Sequence, residues 1–177
     1  MKTPHYSMSY IVNNNKIRFT LEFQTNGYVG IGFGSKKMDK VSDDYHTSCY
    51  ILSKESNHTG KISNGYCEGR VFFPLPSDTS ANLLIYEELP AKDSDYFPVV
   101  RRFVFERVLS PIGHYPIVIN TDVPMIWSTG RTDNITEPHI FERGLVFNFE
   151  KGFKTSFGSK IAGWIGLIVI GLLVAIY

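Results

Sequence analysis

Two cysteines and two glycosylation acceptors are the residues whose type and spacing most directly suggest chemistry. Cys49 and Cys67 are the only cysteines in the chain, and between them Asn57 begins an Asn-X-Thr triplet. Asn134 begins a second such triplet. These triplets matter only in secreted compartments, where disulfides also persist. We therefore predict a Cys49–Cys67 disulfide, glycans on Asn57 and Asn134, and an extracellular or lumenal location. Two reduced, buried thiols in a cytosolic protein are the alternative.

Motifs for conventional catalysis are absent from the sequence. There is no phosphate-binding loop, no GxSxG elbow and no HExxH motif, and the five histidines lack the spacing of a zinc site. The charge is balanced, with 18 Lys and Arg against 17 Asp and Glu and no basic stripe, which disfavours nucleic acid as a partner. The sequence therefore does not predict an enzyme with its own catalytic residues.

An apolar segment near the C-terminus predicts contact with a membrane. Residues 161–177 carry no charge, and as a helix they would be about 26 Å long, close to the ~30 Å hydrocarbon core of a bilayer. We interpret 151–160 as a linker and 161–177 as a transmembrane anchor. A cleaved anchor signal and a hydrophobic terminal strand or helix are the alternatives.

The orientation of this anchor has conflicting signals. The first residues contain no apolar run of signal-peptide length, so the chain is either tail-anchored or begins downstream of its natural start. Lys151, Lys154 and Lys160 precede the apolar segment, which by the positive-inside tendency would place the domain in the cytosol. The cysteine pair and the glycosylation acceptors favour a lost signal peptide and a domain outside the cytosol.

The elements that must position these residues are strands. Hydrophobic residues make up 43% of the chain and aromatic residues 14%, which excludes a disordered chain. Apolar and polar residues alternate strictly over 16–24, and several other short segments of the same kind follow, with turn residues between them. Residues 1–150 are therefore predicted to form one all-β domain, an antiparallel β-sandwich of about eight to ten strands. Residues 116–119 are among the predicted strands.

An ordered set of motifs resembles the DOMON family, named for the N-terminal domain of dopamine β-monooxygenase. The set begins with GYVGIGFG at 27–34, which is followed by Met38. It continues with RRFVFERVL at 101–109, IWSTG at 126–130 and PHIFERG at 138–144. The resemblance covers roughly residues 6 to 150. It implies an immunoglobulin-like β-sandwich on the extracellular side of a membrane.

The resemblance also implies a cofactor. One branch of the family binds a b-type haem between a Met that follows the glycine-rich strand and a His that precedes the final strand. Met38 and His139 occupy these positions here, and Met with His is a known axial pair for an electron-transfer haem. This interpretation requires both segments to meet at one end of the sandwich. It also implies that the haem macrocycle approaches the backbone of the glycine-rich strand. If the alignment of the motifs is shifted, His114 or Met125 is expected to replace one of the two ligands.

Two functions follow from the resemblance. In the first, the domain is a membrane-tethered b-type cytochrome that exchanges electrons with a redox partner protein or a small reductant. In the second, it is a haem-free module that binds a sugar, another small ligand or a protein. The Met38 and His139 pair favours the first function.

Overall fold

The fold consists of β-strands throughout the part of the chain that the structure describes. In this computed structural model these residues are 6–37, 46–68, 71–91, 97–150 and 152–153. They contain eleven strands, joined by turns and loops. The strands are β1 (Tyr6–Asn13), β2 (Lys16–Gln24), β3 (Val29–Phe33), β4 (Thr47–Lys54), β5 (Gly60–Glu68), β6 (Val71–Pro74), β7 (Ala81–Pro90), β8 (Val99–Val108), β9 (Asp122–Gly130), β10 (His139–Asn148) and β11 (Gly152–Phe153).

The strands form two antiparallel sheets whose inner faces pack together. One sheet has the order β1-β2-β8-β7, and the other has the order β11-β10-β9-β3-β4-β5-β6. In β2 the apolar members of the alternation, from Ile17 to Phe23, are buried in the core, while Lys16 and Arg18 face solvent. The period-two pattern therefore places one face of β2 against the second sheet. This confirms the predicted β-sandwich.

The registers define two opposite ends of the sandwich. Lys16 pairs with Val108, and Asp122 pairs with Asn148. The turn at 14–15, the loop 109–121 and β11 therefore share one end, called here the exit end. His139 pairs with Gly130, and the amide of Lys54 donates to Asp133 Oδ1. The turn 55–59 and the loop 131–138 therefore share the other end, called here the sequon end because it carries both glycosylation acceptors.

Some sequence predictions differ from the structure. Residues 116–119, predicted as a strand, lie in the irregular loop between β8 and β9, and β6 was not predicted. No helix among the described residues is long and apolar enough to cross a membrane. The predicted linker 151–160, apart from residues 152–153, and the predicted anchor 161–177 lie outside the described residues.

The predicted disulfide is confirmed. Cys49 and Cys67 join the neighbouring strands β4 and β5 with a Cα–Cα distance of 5.8 Å, and both are buried. Asn57 lies in the exposed turn that connects these strands, where Thr59 donates hydrogen bonds to its Oδ1 from both the amide and the hydroxyl. The disulfide therefore closes a hairpin whose tip carries the first glycosylation acceptor.

A buried polar cluster lies near the exit end. The guanidinium of Arg107 packs on the rings of Phe33 and Tyr50, and its Nη2 donates to the carbonyl of Tyr115. His114 Nε2 lies 2.9 Å from Asp78 Oδ2, and its ring stacks on Tyr50. Burial, reinforced by the positive charge of Arg107, lowers the pKa of His114 despite the opposing effect of Asp78. His114 is therefore a neutral, buried histidine at pH 7.

The depressed pKa of His114 predicts a pH-dependent stability. Below about pH 6.5 the unfolded chain takes up a proton on this residue, whereas the folded chain does not until the pH falls through the lower folded pKa. The free energy of unfolding should therefore fall as the pH is lowered through this window, by at most about 1.4 kcal/mol per unit. Urea unfolding between pH 7 and pH 5 should show a shallower dependence for His114→Gln. An equally steep dependence in this variant would contradict the assignment.

Candidate functional site

The predicted ligand His139 lies at the start of β10, on the outer face of the larger sheet. Its Nε2 is 2.7 Å from Glu142 Oε2, and 23% of its side chain is exposed. Arg143, in contrast, donates to the hydroxyl of Tyr6 in the other sheet, so the alternate positions of β10 face inward. Glu142 and Gly144 lie on the opposite, outer face of β10. Because the imidazole of His139 contacts Glu142, it also lies on the outside of the sandwich.

The loop that leads to His139 is held by a buried arginine from the opposite sheet. Arg101 of β8 donates from Nη1 to Asp133 Oδ1 at 2.6 Å and from Nη2 to Asp133 Oδ2 at 3.0 Å. Its Nη1 also donates to the carbonyl of Gly27, and its Nε lies 3.5 Å from Glu88. A planar guanidinium that binds a carboxylate through two parallel bonds fixes orientation as well as distance. Asp133 therefore anchors the loop six residues before His139.

Further contacts fix the second half of this loop. The hydroxyl of Tyr28 donates to the carbonyl of Glu137, and the hydroxyl of Thr132 donates to the Glu137 carboxylate. Burial, with the nearby Glu137 charge, raises the pKa of Tyr28, so the hydroxyl keeps its proton. Asn134 is exposed on the outer side of the loop, and its Oδ1 accepts from the amide and hydroxyl of Thr136. The second glycosylation acceptor therefore lies on the same fixed loop as His139.

The chain that precedes Met38 approaches β10 on the same outer face. Met38 itself lies outside the described residues. A Cβ added at Gly144 would lie 2.2 Å from the carbonyl oxygen of Lys36, so this crossing requires a residue without a side chain. Gly144, Glu142 and His139 therefore mark one face of β10, and the chain two residues before Met38 lies against that face.

The strand that leads to Met38 ends, and the strand that begins with His139 starts, at different ends of the sandwich. Phe33, at the end of β3, pairs with Met125 near the start of β9, whereas His139 pairs with Gly130 at the end of β9. These positions are separated by roughly 17 Å along the strand. The reason is that β3 and β10 flank the same strand and both run antiparallel to it, so the end of one strand lies beside the end of the other. Met38 lies outside the described residues, so the meeting of the two segments stays a prediction.

The alternative ligands occupy unsuitable positions. Met125 is buried in the core between the sheets, and the Nε2 of His114 faces Asp78 in the buried cluster. The glycine-rich strand is closely packed: a Cβ at Gly30 would meet the Ser128 hydroxyl, and one at Gly32 would meet Ile126. The expected approach of a macrocycle along β3 stays a prediction.

Sequence reasoning missed the two residues that organise this site. Arg101 lies on the inward face of β8 together with Phe103 and Phe105, so the alternation of that strand carried the signal that it is buried. Glu142 lies three residues after His139, a spacing that does not by itself indicate contact on a strand. Among the described residues, no group of three or more His, Cys, Asp or Glu side chains is arranged to hold a metal ion.

A shallow groove of about 310 Å³ lies apart from His139. It is lined by residues 58–60 of the β4–β5 turn and by Leu83, Leu84, Ile85 and Tyr86 of β7. Burial, followed by the hydrogen bond to Glu88, raises the pKa of Tyr86, so its hydroxyl is a donor at neutral pH. The groove combines apolar side chains with a polar turn.

Comparison with known proteins identifies a fold relative. No protein-family model and no curated protein matches the chain. Among solved structures, the crystal structure of the cytochrome b domain of pyranose dehydrogenase from Coprinopsis cinerea matches with a TM-score of 0.52 and 10% sequence identity. The match covers 85% of this chain and 78% of that chain. At this identity the likeness shows a shared fold alone.

The Arg101–Asp133 pair predicts a large effect of a single substitution. Arg101→Met keeps the length of the side chain but leaves the Asp133 carboxylate without its main partner, so unfolding should become easier by about 2–3 kcal/mol. Arg102→Met is the matched control, because Arg102 pairs with Glu22 and Glu87 at the surface, where ion pairs contribute little, so its loss should cost clearly less. Urea unfolding of both variants measures the difference. Equal losses would contradict the anchoring role of Arg101.

Proposed function

We propose that this protein is a membrane-tethered domain on the extracellular or lumenal side that binds a b-type haem and transfers electrons. The fold shared with a cytochrome b domain supports haem as the cofactor. The disulfide supports an oxidising compartment, because such bridges are rare in the cytosol. The apolar segment 161–177 supports the tether. Glycans on Asn57 and Asn134 remain a prediction, and both residues lie at exposed positions.

The position of His139 is the observation that carries this proposal. It is a partly exposed imidazole at the start of the last long strand, where the family resemblance expects a ligand. Ligation through Nδ1 would keep the contact between Nε2 and Glu142, whereas ligation through Nε2 requires that contact to break. A carboxylate on the second ring nitrogen orients a ligating histidine and raises its basicity. The residues present therefore fit an axial imidazole.

Met38 is the proposed second ligand. Support comes from Lys36, two residues earlier, which lies against Gly144 on the same face of β10 as His139. When bound, the haem supplies a one-electron couple, and an axial Met raises its reduction potential. The chain contributes the two ligands and a sandwich held rigid by Arg101 and the disulfide. The electron partner is a redox protein or a small reductant, with no turnover of a substrate by the domain itself.

A haem-free binding module is the second candidate function. The contact between His139 Nε2 and Glu142 Oε2 favours it, because the imidazole then has a partner within the chain. The groove beside Tyr86 is then the place for a sugar or another small ligand. Purified protein that has no Soret band after expression with added haem would favour this function over the cytochrome.

The proposed ligand role of His139 has a matched control within the chain. His139→Ala should abolish tight haem binding, because the nitrogen ligand is lost. His46→Ala should keep the full haem content, although His46 is also a partly exposed histidine facing a carboxylate, that of Glu68. The ratio of Soret to protein absorbance in the purified full chain measures both. A His139 variant that retains its haem would overturn the assignment.

The proposed role of Met38 predicts a different change. Met38→Ala should keep the haem through His139 but convert it to a five-coordinate species, with a potential lower by on the order of 100 mV. Electron paramagnetic resonance reports the spin state, and a spectroelectrochemical titration reports the potential. An unchanged spectrum and an unchanged potential would show that another group holds this coordination position.

A further inference from the structure

We infer that the exit end of the sandwich rests on a bilayer surface, with Ile112 inserted among the lipids. The inference relies on the membrane tether of the proposed function and adds which surface of the domain faces the lipid. It does not depend on haem. The surface consists of Ile112 at the tip of the loop 109–121, together with Ile11, Val12 and Val118.

Ile112 is a fully exposed apolar side chain on a turn that is firmly anchored. Its side chain is 100% exposed. The turn closes with a hydrogen bond from the amide of His114 to the carbonyl of Pro111, and Gly113 adopts a φ of 76°, which favours glycine. On its C-terminal side the buried His114 faces Asp78, which ties the turn to the core. The turn therefore holds a fully exposed isoleucine at the surface of the domain.

Other exposed apolar residues lie at the same end. Ile11 is 68% exposed, Val118 is 46% exposed and Val12 is 38% exposed. Backbone hydrogen bonds join their segments, because the amide of Leu109 donates to the carbonyl of Asn15 and the amide of Ile117 donates to the carbonyl of Leu109. The β1–β2 turn and the loop 109–121 therefore form one continuous edge. Val12 pairs with the buried Ile17 and lies on the inner side of this edge, whereas Ile11 pairs with Arg18 and lies on its outer side.

The last described residues lie at this edge. β10 ends at the exit end, and β11 pairs back on Phe147 and Asn148. The hydroxyl of Tyr10 donates to the carbonyl of Phe149, which ties this exit point to β1 beside Ile11 and Val12. Seven residues separate Phe153 from the apolar segment 161–177, and this connection spans at most about 28 Å. A transmembrane anchor or a lipid attached near this point would hold the exit end close to the bilayer.

Charge and glycosylation agree with this orientation. Both glycosylation acceptors lie at the sequon end, about 33 Å away along a ten-residue strand. Lys16 and Arg18, the basic residues beside the apolar edge, are about half exposed and share the single carboxylate of Glu106, which leaves one net positive charge at this surface. The surface therefore fits the interface of a bilayer, where apolar side chains enter the acyl region and basic side chains face the lipid phosphates. Self-association through the same edge is the competing outcome.

Site-specific probes on the full chain test this inference. Both native cysteines form the disulfide, so Ile112→Cys creates a single labelling site for an environment-sensitive fluorophore. Ile140→Cys is the matched control, an exposed isoleucine at the sequon end. The labelled chains are reconstituted in phosphatidylcholine vesicles that contain a quencher on the acyl chain. The probe at position 112 should lose about half of its emission or more, and the probe at 140 should be unaffected.

The outcomes separate the inference from the tether. Flotation of the vesicles tests the tether alone, and a chain that does not float overturns the tether and the docking surface that depends on it. If the chain floats and neither probe is quenched, or both are quenched equally, the docking surface is wrong and the tether stands. If the emission at position 112 changes with the density of protein in the vesicles and not with the lipid quencher, the edge contacts a second copy of the chain. That result also overturns the inference.

Discussion

The bidentate bond between Arg101 and Asp133 is the interaction on which the arrangement of the candidate site depends. Arg101 belongs to the four-stranded sheet, and Asp133 belongs to a loop of the seven-stranded sheet. The bond therefore crosses the sandwich and closes it at the sequon end. A guanidinium so deeply buried needs partners, and besides Asp133 the carbonyl of Gly27 accepts from Nη1 and the carboxylate of Glu88 lies 3.5 Å from Nε. Because three groups converge on one side chain, the loop before His139 is fixed in place.

The exit end is closed by a different interaction. There Arg107 packs on Phe33 and Tyr50, and His114 faces Asp78. Thus each end of β8 contributes a buried arginine, and the apolar core lies between them. The proposed haem ligand and the proposed lipid contact lie at opposite ends of the molecule, on loops that these two arginines hold. In this arrangement a cofactor on the outer face near His139 faces away from the bilayer, where a partner protein or small reductant can approach.

Local pattern allowed much of the fold to be predicted. The alternation in β2 indicated its bounds and its buried face, and the two cysteines indicated the disulfide. The prediction of a strand at 116–119 was wrong. A short apolar run resembles a strand, but Pro116 has no amide hydrogen to donate to a neighbouring strand. β6 was missed because four residues between glycines and prolines give little periodic signal. The burial of Arg101 follows from its position in the alternation of β8, although its charge alone would predict an exposed side chain.

The geometry of the site could not be predicted, because it depends on non-local placement. The motifs around Met38 and His139 suggested a ligand pair, but not the strand order that sends their segments to opposite ends of β9. The passage of the chain across Gly144 depends on a glycine that no local rule marks as a crossing point. The contact between His139 and Glu142 likewise depends on a shift in the register between β10 and β9, which lies between His139 and Phe141.

X-ray absorption at the iron edge of the purified full chain, expressed with added haem, tests the proposed cytochrome most directly. It reports the elements bound to the metal without relying on a variant. The account predicts iron in about equal amount to protein, with one sulfur ligand beside the nitrogen ligands of haem and imidazole. Iron with nitrogen or oxygen ligands only would contradict the Met38 and His139 pair, and protein without iron would contradict the cytochrome altogether.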